Sequence, residues 1–299
     1  MDVDIYLTES ASFTRAVLMG KYSRWLIFIL LGLPWTVLVS LLASRHVIEG
    51  MTVHWSLIPW TESGLLIVTG TLCNFILTGY IVRLLAGGTT PPEFSAVSRL
   101  VLDGIKVHII PLAWLFVPVL LGLLEFLLVT YGYSGTLPGL GLIVIIFIFE
   151  LLVVLFAVKY AVIGIVRFAR TGSVREAFDL PAIKETYDRI GWVNYYLGLG
   201  VIALIFILMT GLLNLVALIP VAGPVVTLAL GPLVTVYTAR FIAHFCDDDT
   251  YGTRPEETPL PLRRIIPEFL AWSALLVVLA VLCFSPLVVV SGALLKILP

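Results

Sequence analysis

Long apolar runs separated by short polar breaks set the pattern of this chain. Crossing about 30 Å of hydrocarbon takes roughly 20 mostly apolar helical residues. Seven runs meet that requirement: Trp25–Ala43, Gly64–Leu85, Ile109–Thr130, Gly139–Val166, Trp192–Leu218, Gly223–His244 and Phe269–Leu298. Only "IPVAGP", beginning at Ile219, separates the fifth from the sixth, which predicts a tight helical hairpin there.

The polar breaks are not random. "VRLLAGGTTPPEF" at 82–94 and "VRFARTGSVREAF" at 166–178 share Val, Arg, Gly and Phe at the same offsets. Thr90 with Glu93, and Ser173 with Glu176, fit the capping box, in which a hydroxyl and a glutamate satisfy the first free backbone N–H groups. Pro91 would then occupy the first helical position, where its missing N–H does no harm. The stretch after each box is amphipathic. Phe94, Val97, Val101 and Ile105 form one apolar stripe; Val174, Phe178, Ile183, Tyr187 and Ile190 form another. A third version opens the chain, with Phe13, Val17 and Gly20 opposed by Arg15, Lys21 and Arg24. Helices of this kind lie in the membrane interface, apolar face down. Phe13, Phe94 and Phe178 are 81 and 84 residues apart. The expected unit is therefore an interfacial helix, a span out, a turn and a span back, used three times.

Composition agrees with lipid as the main solvent. Hydrophobic residues make up 60% and charged residues 12% of the 299, against about a quarter charged in soluble domains. With the N-terminus on the cytoplasmic side, every Lys and Arg except Arg45 and Lys296 falls on that side, out of 18 in total. The resulting expectation is an all-α, polytopic transmembrane helical bundle of about seven spans in the cell membrane, with amphipathic interfacial helices on its cytoplasmic face. Residues 1–245 would form a six-span domain, 246–266 a cytoplasmic loop, and 267–299 an additional span that places the C-terminus outside. The N-terminal stretch lacks the basic region and cleavage site of a secretory signal and is expected to be retained. A net charge of −1 excludes the basic bias of a nucleic-acid binder.

The segment "GYIVRLLAGGTTPPEFSAVSRLVLDGIKVHIIPLAWLFVP", residues 79–118, resembles the archaeal membrane family called domain of unknown function 4013. Gly79, Tyr80, Arg83, Pro92, Glu93, Phe94, Asp103, Gly104 and Lys106 carry the likeness, which extends more loosely over about residues 8–245. The resemblance implies an archaeal cell membrane and this fold. It implies no activity and no catalytic residues.

Candidate chemistry is sparse. Two acids lie inside spans, Glu150 near mid-membrane and Glu125 near the outer end of the third span. Neither has a basic residue at its depth, so its neutral form is favoured. Asn74 could take a hydrogen bond from Glu150, and Asn214 one from Glu125. Such groups serve either as packing contacts or as a proton or cation site, Glu150 being the stronger candidate for the latter. Pro34, Pro118, Pro232 and Pro286 lie within spans and free backbone carbonyls, and no Gly-xxx-Gly falls inside any span. Cys73, Cys246 and Cys283, like His108 and His244, have no partner at metal-ligand spacing. Asp247–Asp249 reads as a solvated acidic loop. No cofactor-binding loop, metal set or catalytic constellation emerges. Arg83, Arg99, Arg167, Arg170, Arg175 and Arg189 form a basic rim for anionic lipid headgroups, with Phe94 and Phe178 as interfacial anchors. These features point to a non-enzymatic scaffold or accessory subunit engaging lipid and a protein partner or a second copy. The alternative is a small transporter or lipid-handling protein titrating at Glu150.

Overall fold

The computed structural model describes residues 3–49, 52–88, 90–131, 135–217, 219, 222–246 and 266–273. It is all-helical apart from a two-residue antiparallel pair, β1 (Ile48–Glu49) with β2 (Thr52–Val53). The helices are α1 (Val3–Leu18), α2 (Tyr22–Ser44), α3 (Trp60–Leu85), α4 (Val97–Thr130), α5 (Leu137–Thr171), α6 (Leu180–Ile190), α7 (Trp192–Ala217) and α8 (Ala222–Phe245). The six helices other than α1 and α6 are long and apolar enough to cross a membrane, and they coincide with the first six apolar runs. Of the seventh run, Phe269–Leu298, only the start is described: residues 266–273 are helical. The rest of that run, and Asp247–Asp249, lie outside the described residues.

The chain packs as two compact units, Met1–Gly104 with Thr186–Leu260, and Ile105–Glu185 with Pro261–Pro299. α4 and α6 each contribute to both. In the first unit α8 is the central helix, packing on α1, α2, α3 and α7. Its C-terminal half is accordingly buried, at Val234, Val236, Ala239, Phe241, Ala243 and Phe245. The α7–α8 hairpin closes tightly because Gly223 lies against the Val216 carbonyl, where any Cβ would collide. In the second unit the buried residues include Ile105, Ile109 and Ile110 of α4, Ala177, Ile183, and the C-terminal part of α5 from Ala157 to Arg170. That helix starts at Thr136, whose side chain accepts from the Gly139 N–H, with Pro138 in the first turn. It stops at Gly172, whose φ of +73° closes the C-terminus.

The capping boxes are not formed. Residues 90–96 are irregular, and the amphipathic stretch after them is the first two turns of α4, continuous with the third span. Pro92 is the reason, because a proline disfavours helical backbone at the residue before it. At the second box Ser173 makes no side-chain cap, and Val174–Phe178 wind as a 3-10 turn. The helix begins later, at α6, where the Asp179 carboxylate accepts from the Ala182 N–H at 3.3 Å. α1 forms the expected N-terminal amphipathic helix and ends before Gly20, whose φ is +75°.

Candidate functional site

The best-marked phrase of the sequence builds an elbow between α3 and α4. Tyr80, fully buried, donates its hydroxyl to the Pro92 carbonyl at 3.1 Å. One turn on, Arg83 donates to the Glu93 carbonyl at 2.8 Å. The carbonyls of the irregular 90–96 segment are thus held by side chains of α3, which supply what a helix would otherwise provide. Phe94 stacks on Tyr80 with centroids 4.1 Å apart, and Phe28 meets both rings edge-on at 5.3 and 5.4 Å. Above the elbow the two helices cross backbone to backbone. A Cβ on Gly79 would fall on the Leu100 carbonyl, and one on Gly104 would fall on the Phe75 carbonyl.

α5 and α8 likewise carry near their C-terminal ends an arginine used in a related way. Arg167, buried in α5, donates to the Glu176 carboxylate at 2.6 Å and to the Glu176 carbonyl at 3.2 Å. Arg240, buried in α8, donates to the Glu9 carboxylate at 3.2 Å and to the Gly88 carbonyl at 3.0 Å. Its guanidinium lies over the Phe13 ring at 4.2 Å, and His244 approaches the same Glu9 oxygen at 2.6 Å. Arg83 and Arg167 therefore hold the segment that comes after them, whereas Arg240 holds α1 through Glu9 and the turn after α3 through Gly88. The repeated Arg and Phe positions are latches, in which a desolvated cation is neutralised or hydrogen-bonded by its docked segment. Glu9 and Arg240 were given no specific role from sequence, and His244 was weighed only as a metal ligand. The signal available was the Tyr-x-x-Arg shared by Tyr80–Arg83 and Tyr237–Arg240.

The intramembrane acids meet each other. Glu125 of α4 and Glu150 of α5 lie within interaction range of each other. Glu150 lies on the half-buried stripe of α5 that includes Ile143, Ile146 and Ala157. Its carboxyl occupies the space left by Gly122, where a Cβ would come within 2.9 Å of Oε1. Asn74 and Asn214 belong to the other unit. Asn74 is half-buried in α3, with its carbonyl accepting from Thr78 at 2.8 Å, and Asn214 is exposed on α7. Among the described residues no group of three His, Cys, Asp or Glu could hold a metal ion.

The six rim arginines differ in setting. Arg175 and Arg189 are exposed, Arg83 and Arg99 half-buried, and Arg167 and Arg170 buried. Of the two phenylalanine anchors, Phe94 packs in the elbow, and Phe178 stacks on Trp114 at 5.8 Å while keeping its outer edge exposed.

Six apolar helices of spanning length, joined by polar elbows latched through arginine, place the chain among helical multi-pass membrane proteins. It belongs to the family described as protein of unknown function DUF4013, whose pattern matches residues 63–218. That range runs from the first turn of α3 to the end of α7 and contains the whole α3–α4 elbow. No curated protein and no solved structure matches the chain.

Proposed function

We propose that this protein is a non-enzymatic scaffold or accessory subunit of an archaeal cell membrane, with its N-terminus cytoplasmic and its C-terminus outside. It would engage anionic headgroups through Arg175 and Arg189 and a protein partner through α6. The observation that carries this reading is the way α6 sits. Ile183 and Thr186 on one face of it are buried, while Lys184, Glu185, Asp188 and Arg189 stand exposed on its other side. A short helix docked by one face, with four charges displayed on the other, suits recognition of a charged protein surface. Native mass spectra of the protein extracted in mild detergent from its own membrane test this. Wild type should carry a stoichiometric partner, K184E/R189E should lose it, and E150Q should keep it. A partner retained by the charge-reversed form would overturn the assignment to α6.

The nearness of Glu125 to Glu150 favours a second reading, a small transporter or lipid-handling protein using Glu150 as a proton or cation site. On that reading a bound small molecule or lipid disappears from the spectrum of E150Q.

A further inference from the structure

We infer that the loop entering α3 is a membrane-contacting anchor, with Trp55 and Trp60 seated in the lipid interface at the N-terminal end of that helix. Trp55 opens a 3-10 turn, Trp55–Leu57, and Trp60 is the first residue of α3. The two indoles are 62% and 64% exposed, so each presents most of its surface outward. Their rings are nearly parallel, 8° apart in plane with centroids 6.5 Å apart, so they stand side by side. Leu57 between them is also exposed.

This loop is held in place. The His54 N–H donates to the Val47 carbonyl at 2.8 Å, the Leu57 N–H to the His54 carbonyl at 3.0 Å, and the Ser63 N–H to the Pro59 carbonyl at 2.9 Å. Neither indole N–H is hydrogen-bonded within the described residues. A preordered pair of exposed tryptophans therefore presents apolar faces together with two N–H donors that need acceptors.

Continuity with the spanning surface of α3 identifies the occupant as lipid. At 100° per residue, Trp60, Gly64, Leu65, Val68 and Leu72 fall on one side of the helix, and every one of them is exposed. The exposed strip of α3, interrupted near its start by Thr61, thus leads into the two indoles. The 26 residues of α3 rise about 39 Å, more than the ~30 Å hydrocarbon core. With Arg83 at one interface, Trp60 reaches the other. There an indole rests its ring on the acyl boundary and gives its N–H to headgroup or linkage oxygens.

The test is emission quenching of the protein in vesicles of a phosphoglycerol lipid, comparing wild type with W55F/W60F. Both rings are exposed, so the substitution leaves the fold intact; W55F and W60F singly provide the same comparison if the double variant expresses poorly. The emission lost on substitution isolates the two indoles from the other five tryptophans. It should be quenched more by bromine placed near the headgroup end of the acyl chain than by bromine near its tip, and it should be shielded from aqueous iodide. Quenching by iodide with indifference to brominated lipid would put the loop in water and overturn the inference. Shielding from both quenchers would mean that protein covers the indoles, which overturns it equally.

Discussion

Replacing Gly104 by Ala tests the α3–α4 crossing most directly. The added methyl falls on the Phe75 carbonyl oxygen, which is backbone and cannot rotate aside. Restoring an ordinary separation of about 3.5 Å requires the helices to part by more than about 1 Å. Overpacking of this kind costs about 1–3 kcal/mol, while alanine recovers up to about 1 kcal/mol of helix propensity. A net loss of up to about 2 kcal/mol is expected. Gly79→Ala should lose a similar amount against the Leu100 carbonyl. Because either substitution opens the same crossing, G79A/G104A should fall short of the sum of the two. Gly211→Ala in α7 is the control. Nothing lies within 4 Å of a Cβ there, so propensity alone acts and the change should be neutral or mildly stabilising. Loss of the monodisperse peak on size-exclusion chromatography after graded heating, in one detergent, ranks all four variants against wild type. If G104A and G211A melted alike, the close crossing and the role given to the two glycines would be wrong.

The latches and the acid pair supply further expected outcomes. Glu176→Gln should destabilise by about 1–2 kcal/mol, below the range for a fully buried pair because Glu176 is 35% exposed. R167M/E176L should melt closer to wild type than the single change, since it leaves no unpaired charge. Phe13→Leu should cost about 1–2 kcal/mol of cation–π attraction to the buried Arg240, read by the same heating assay. E9R/R240E should not restore stability, because a carboxylate at 240 would face the Gly88 carbonyl and the Phe13 ring. Gly122→Ala should displace the end of the flexible Glu150 side chain at little net cost, within about 1 kcal/mol either way, because alanine recovers helix propensity; in an E150A background the same change should be neutral or mildly stabilising.

The sequence by itself determined the spanning helices and the place of the elbow. Apolar periodicity is local, so each of the first six runs matched an observed helix to within a few residues, save where α4 starts a dozen residues early. Gly79, Tyr80, Arg83, Pro92, Glu93, Phe94 and Gly104 also read as one phrase, and they do fold as one elbow. What they do within it was not legible. Thr90 and Ser173 look like helix caps because a capping box is judged over four residues, whereas the carbonyls of Pro92 and Glu93 are taken by Tyr80 and Arg83 from the preceding helix. The close crossing escaped a search for paired glycines within one span because Gly79 and Gly104 sit on different helices. Which faces meet decided the rest. Only packing brings Glu125 to Glu150 across two helices, or Glu9 to Arg240 across 231 residues. In a chain whose spans are all similarly apolar, hydropathy does not discriminate between those faces. Small residues that permit close approach, and charges that must be neutralised away from water, make the choice in three dimensions.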